Sequence, residues 1–240
     1  MKGIILAAGR GRRMGALTDD LPKCRTVLHG KELIQWQLDA FRGAGISNIA
    51  VVRGYLAKTF NFDLDYFENQ RWFETNMVMS LVAASKWLEK ETCITSYSDI
   101  VFSVDAVDRL KRASGNIVIT YDPNWKSLWS MRFEDPLSDA ETFKLEGNRV
   151  VEIGNKAASM EEIEGQYMGL VKYTPKGWAQ VCEYLKQFLQ NERDNMDMTT
   201  LMQGLIKAGV EVRGIPISDQ WFEVDSESDL CKYKAISFPY

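Results

Sequence analysis

The chain carries a single histidine, His29, set beside Gly30 in what reads as a turn. One imidazole leaves no material for a multi-histidine metal centre and argues against a histidine-based triad. The four cysteines, Cys24, Cys93, Cys182 and Cys231, are scattered without a C-x-x-C pair. That removes a zinc ribbon and a disulfide framework, and it fits a reducing cytoplasm. No stretch approaches the roughly 18 uncharged apolar residues of a membrane span. The opening MKGIILAAG is broken by arginines too early for a signal peptide, so no membrane partner is expected. Basic residues are not in excess either: 29 Lys and Arg stand against 33 Asp and Glu, a formal net charge of -4. Nucleic acid, which needs a dominant basic surface, is therefore not an expected partner. Any metal must be held mainly by carboxylates, which points to a hard ion such as Mg2+.

What is present is ordinary globular material. Of the 240 residues, 45% are hydrophobic, enough to bury a sizeable core, and residues 1–240 read as one domain. Gly3 to Ala8 is a continuous apolar run, the pattern of a parallel strand buried on both faces. Gly9 to Leu28 has no period and carries five arginines or lysines, so it reads as a long loop, of a kind that is usually functional or disordered, with a solvated basic turn as the plainer reading of its Gly/Arg stretch. A helical stripe follows over Lys31 to Arg42, closed by Gly43 and Gly45. Asn48 to Arg53 is the next strand. Asn61 to Thr75 is aromatic and irregular. Met77 to Leu88 predicts a helix, and Thr92 to Tyr97 a strand ending at Ser98-Asp99. Val104 to Ala113 predicts a helix, and Asn116 to Tyr121 a strand. This alternation is the signature of a parallel sheet with helices on both faces.

The second half differs. Thr142 to Leu145 and Arg149 to Ile153, joined by Glu146-Gly147-Asn148, predict a β-hairpin. Gln166 to Tyr173 is a strand, Lys176 to Leu189 and Met198 to Ala208 are helical, and Val210 to Ile215 is a strand stopped by Pro216. Trp221 to Val224 is a short apolar stretch. The fold class is α/β, a three-layer Rossmann-like mixed, mostly parallel sheet with an inserted β region.

Leu6 to Gly15, LAAGRGRRMG, directly follows the first strand. Small residues let the backbone approach a triphosphate, and Arg10, Arg12 and Arg13 add fixed positive charge. The glycines fall at 9, 11 and 15, which is neither the Rossmann spacing nor a P-loop. Lys23, after Pro22, is placed to reach back toward phosphates. Asp99 sits where a central strand ends, and Asp225 follows another apolar stretch. Ligands in open α/β sheets bind beyond the carboxyl ends of strands, so two such carboxylates suit one divalent ion across a cleft. As turn residues or helix caps they would be unremarkable, and Asp225 lies just before a helix start at Ser226.

L-A-A-G-x-G-x-R-M, then D-x-P-K, then a strand-end Asp, then E-V-D-S near the C-terminus resembles the nucleotidyltransferase family of sugar-phosphate and phosphocholine activating enzymes. The resemblance spans nearly the whole chain. It implies the nucleotide-diphospho-sugar transferase type of fold. It implies that the loop residues Leu6, Ala7, Ala8, Gly9, Gly11 and Arg12 hold the NTP. It also implies that Arg13 and Lys23 are the catalytic cations, and that Asp99 and Asp225 bind Mg2+. The short length, Asn76-Met77-Val78-Met79-Ser80-Leu81 and Trp221-Phe222-Glu223-Val224-Asp225-Ser226 look most like the short cytidylyltransferases acting on phosphocholine or 2-aminoethylphosphonate. That likeness adds Asn76 and Ser80 to the nucleotide site. The expected ligands are CTP or another NTP and a small phosphorylated or phosphonate substrate. A homodimer is left open.

The second substrate is less directly written. Trp72, Trp125, Trp129 and Trp221 fall in expected loop or strand-edge regions. An aromatic face with a carboxylate suits a cationic head group, which nominates Trp125 or Trp129 with Asp139 or Glu141. Tyr167, and Lys156 for the substrate phosphate, complete the expected set. Each of these has a plainer reading as core packing or a solvated charge. The alternatives are a sugar-1-phosphate nucleotidylyltransferase using UTP or dTTP, a glycosyltransferase consuming a nucleotide sugar, and a non-catalytic nucleotide sensor.

Overall fold

The structure, a computed structural model, describes residues 1–236. Among these residues nine strands form the main sheet: β1 (Lys2–Ala7), β2 (Ile49–Arg53), β3 (Asp65–Glu68), β4 (Cys93–Tyr97), β5 (Ile117–Asp122), β6 (Glu141–Glu146), β7 (Arg149–Lys156), β8 (Gln166–Tyr173) and β9 (Val212–Pro216). Their spatial order is β3-β2-β1-β4-β8-β5-β9-β7-β6. The pairs β1–β2, β1–β4, β2–β3 and β5–β9 are parallel, while β8 runs antiparallel to both its neighbours. The sheet is thus mixed and largely parallel, with helices on both faces.

The first strand shows why. Ile5 and Ala7 point into one hydrophobic cluster with the helices Leu33–Gly43 and Val104–Arg112. Ile4, Leu6 and Ala8 point into the other, with Met77–Ala83, Pro175–Leu185 and Met198–Lys207. A strand covered on both sides has no polar alternation to show, hence the unbroken apolar run. The expected hairpin forms, with Gly147 at φ 64 in its turn, and extends the sheet at one edge as β6 and β7. Among the described residues no helix is long and apolar enough to cross a membrane.

Four expectations need correction. The segment expected to be irregular contains β3, a four-residue edge strand parallel to β2. Met77 to Leu88 is two helices, Met77–Ala83 and Ser85–Leu88, because Ala84 leaves helical geometry at φ -93, ψ 10. The long loop folds into two 3-10 turns, Arg12–Thr18 and Lys23–Arg25, and the short strand Val27–Leu28. Trp125 and Trp129 lie on the helix Trp125–Arg132, whose buried residues Trp125, Leu128, Trp129 and Arg132 form a regular helical stripe.

Candidate active site

β1 delivers the glycine-rich loop at its carboxyl end. Gly11 adopts φ 71, a left-handed conformation that glycine tolerates without Cβ strain. The position is also crowded: a Cβ there would lie 2.8 Å from Lys23 Cδ. The two halves of the loop therefore touch, glycine against lysine stem. Tyr55 closes it from outside. Its backbone N–H donates to Ala8 O at 2.9 Å, and its hydroxyl lies 2.8 Å from both Thr18 O and Asp19 O. Arg10 adds an ion pair to Asp19 at 2.7 Å. Arg12 is exposed, with its side chain at the surface of the turn.

Lys23 is buried, and its Nζ lies 2.7 Å from Asp99 Oδ2 and 2.5 Å from Asp225 Oδ1. Burial alone would disfavour the ammonium, but the two carboxylates outweigh it and hold the lysine pKa above its ordinary value. The two aspartates are held together by backbone. The two-residue strands Ile100–Val101 and Phe222–Glu223 pair antiparallel, and Val224 N–H donates to Asp99 O at 2.9 Å. Asp225 Oδ2 also meets the exposed Arg13 at 2.5 Å. Behind it stands Arg132, a buried guanidinium that contacts Glu223, Asp229 Oδ1 at 3.2 Å and Asp225 Oδ2 at 3.8 Å. Burial opposes this charge too, yet the surrounding carboxylates, Glu223 foremost, raise its pKa. Asp99 Oδ1 is buried and has no hydrogen-bond partner among the described residues.

Two cavities flank this cluster. The smaller, about 120 Å³, is lined by Leu6, Ala8, Gly9, Trp72, Thr75, Asn76, Met77 and Ser80. Loop residues and the start of the Met77–Ala83 helix thus share one wall, which Gly11 and Arg12 do not line; Ala7 points to the opposite face of the sheet. Asn76 caps that helix, accepting from Met77 N–H at 2.8 Å, and Ser80 Oγ accepts from Asn69 at 3.1 Å.

The larger cavity, about 280 Å³, is walled by Tyr97, Trp129 and Tyr167 and carries the carboxylates of Asp139, Glu141, Asp197, Glu223 and Asp225, with Arg13 at its edge. Trp129 donates its indole N–H to Asp139 at 3.1 Å. Burial, with the nearby Asp197 charge, pushes the Glu141 carboxyl up to about 7. Trp125 does not reach this space; it is 1% exposed and its indole N–H donates to Ile163 O at 3.3 Å. Lys156 is exposed at the end of β7, opposite Glu141 in the hairpin register but outside the cavity lining.

Sequence reading did not single out Arg132, Asp197, Thr199 or Tyr97. Asp197 caps the Met198–Lys207 helix, accepting from Thr200 N–H at 2.7 Å. Arg132 carried a signal: it completes the i, i+3, i+4, i+7 stripe with Trp125, Leu128 and Trp129. A charged residue at a core position asks for a buried partner.

An open α/β sheet with a glycine-rich loop after its first strand, and carboxylates at two neighbouring strand ends, defines a nucleotidyltransferase-type protein. The chain belongs to the family of MobA-like NTP transferase domains, which it matches over residues 3–155. It is 37% identical to the CTP:phosphoglutamine cytidylyltransferase of Campylobacter jejuni over 96% of this chain and 98% of that one. It is 34% identical to the 2-aminoethylphosphonate cytidylyltransferase of Lancefieldella rimae, over 42% of this chain and 43% of that protein. Among solved structures, the inositol-1-phosphate CTP transferase of T. maritima superposes with a TM-score of 0.76 over 98% of this chain and 96% of that one, at 20% identity, a likeness of fold. The reaction class is NTP transfer of the cytidylyltransferase type.

Proposed function

We propose that the protein is a Mg2+-dependent cytidylyltransferase that moves CMP from CTP onto a small, nitrogen-bearing phosphate or phosphonate of the phosphocholine or 2-aminoethylphosphonate type. The observation that carries this reading is the acid-lined aromatic cavity beside Asp225 and Arg13. Its five carboxylates would repel a purely anionic substrate and give a neutral sugar no charge to match, whereas an ammonium end fits them and its phosphate end would face Arg13. Phosphoglutamine and 2-aminoethylphosphonate, named in the two relatives, share that build: a phosphorus anion on a nitrogen-bearing skeleton.

The smaller cavity beside the loop is the corresponding place for the base. The reaction is attack by a substrate phosphate or phosphonate oxygen on the α-phosphorus. A new P–O bond forms, the bond to the bridging oxygen breaks, and pyrophosphate leaves. The nucleophile is already an anion near neutral pH, so no general base is required. The chain's task is to neutralise charge and align the reactants. Arg13 and Lys23 supply fixed cations on the two sides of the loop. Asp99 and Asp225 fit Mg2+: they are hard oxygen donors on adjacent strand ends, and Asp99 Oδ1 is a buried lone-pair donor without a hydrogen-bond partner. Once bound, the ion would neutralise charge on the α-phosphate. Trp129, fixed by its bond to Asp139, walls the head-group end.

A pyrophosphate-release screen tests this. It crosses the four NTPs with phosphocholine, 2-aminoethylphosphonate, phosphoglutamine and hexose-1-phosphates. Release is expected with CTP and a nitrogen-bearing substrate. Release confined to UTP or dTTP with a hexose-1-phosphate would overturn the assignment.

A further inference from the structure

Gln37 is a polar side chain with no exposed surface, on the core-facing side of the Leu33–Gly43 helix. A glutamine placed there must satisfy its amide internally or lose its hydration for nothing. It does so on one target. Its Nε2 donates to Tyr97 O at 2.9 Å and to Ile100 O at 2.7 Å, and its Oε1 accepts from Ser96 Oγ at 2.9 Å. Tyr97 ends β4 and Ile100 begins the short strand that follows; between them lies the turn Ser98-Asp99. The carbonyls on either side of the Ser98-Asp99 turn are therefore held by one buried amide, from a helix about 60 residues earlier in the chain.

We infer that Gln37 is a positioning residue for the Asp99 carboxylate. The inference rests on the proposed role of Asp99 in holding the metal and triphosphate. The turn is also anchored by Lys23 on the Asp99 carboxylate and by Val224 N–H on Asp99 O, which ties it to the strand leading to Asp225. Gln37 sets the distance of this pair from the sheet, and the Phe222–Glu223 pairing sets the distance between the two aspartates. An apolar side chain in its place leaves two buried carbonyls unpaired, and the turn must move to recover partners. Groups that orient a metal-binding carboxylate in this way affect metal affinity or activity by about 10- to 100-fold when removed.

The experiment compares wild type with Gln37→Met, which keeps the length but not the hydrogen bonds, and Gln37→Glu, which keeps the shape and offers at most one proton to the two carbonyls. Ser96→Ala is the control, since it removes one bond to Gln37 and leaves both turn carbonyls held. Two readouts are taken on the full chain. Hydrogen exchange of the residue 98–100 amides reports the turn without any turnover. Steady-state rates with CTP over a Mn2+ titration report the metal requirement. Gln37→Met, or Gln37→Glu should Met fail to fold, is expected to speed exchange at the turn. It should also lower kcat about tenfold or more and raise the half-saturating Mn2+, with KM for CTP little changed. Ser96→Ala should leave kcat close to wild type. Unchanged turn exchange overturns the inference. So does a fall in kcat shared equally by Ser96→Ala, or a loss of melting temperature with no change in the Mn2+ requirement. If wild type itself turns over none of the substrates, the functional reading fails, while the exchange result still decides whether Gln37 holds the turn.

Discussion

Lys23 stands between two carboxylates. It neutralises Asp99 and Asp225 at once, and Gly11 packs on its stem. Removing the ammonium leaves the half-buried Asp99 and buried Asp225 carboxylates without their shared counter-ion and, under the proposed function, takes a cation from the phosphates. Lys23→Met is expected to lower kcat by about 10²-fold or more, as is typical for loss of an electrostatic partner of a developing charge. Circular dichroism should show the fold retained; turnover near wild type would remove Lys23 from the chemistry. Its place beside the loop was legible from D-x-P-K, but its partners were not. Nothing local links residue 23 to residues 76 and 202 positions away. Arg132 and Asp197 stayed hidden for a related reason. Only packing shows that one is buried among carboxylates and that the other faces a cavity.

At the scale of elements, the loop is a strand-to-turn junction whose geometry depends on one left-handed residue. Gly11→Ala would put a Cβ into a conformation costing roughly 1–2 kcal/mol and against the Lys23 stem. About a tenfold rise in KM for CTP is expected from a penalty of that size. Equilibrium binding of CTP checks it, and unchanged affinity would mean the loop can relax without moving Lys23. Elements with strong periodicity were legible: β1, β8 and the β6–β7 hairpin fall where their apolar patterns place them. Those that failed had weak local signals. β3 is only four residues with acidic ends, stabilised by pairing with β2 rather than by its own composition. The break at Ala84 has no glycine or proline to announce it. The helix Trp125–Arg132 was masked because its apolar stripe ends in an arginine.

The stability of the whole molecule carries a signature of the acidic cavity. Burial and the neighbouring Asp197 raise Glu141 from 4.5 to about 7. Between those values the folded chain keeps a proton that the unfolded chain releases, so stability falls as pH rises through that window. The full penalty, at most about 3 kcal/mol, is present above pH 7 and absent below pH 4.5. Glu141→Gln removes it. Denaturant unfolding should find the variant more stable than wild type at pH 8 and no more stable at pH 4. The same difference at both pH values would show that Glu141 is not held protonated by its surroundings.

The sequence by itself determined the fold class, the loop after the first strand and the two strand-end aspartates, because each is written in a short stretch of chain: an apolar run, a glycine spacing, a carboxylate after a strand. Tertiary structure alone decided that Lys23 bridges the aspartates, that Gln37 holds the turn of one of them, and that carboxylates from β6, from the start of the Met198–Lys207 helix and from Glu223 converge on one cavity. Those features join residues far apart in the chain. Their energies depend on burial and on distances of a few ångströms, which no local pattern encodes.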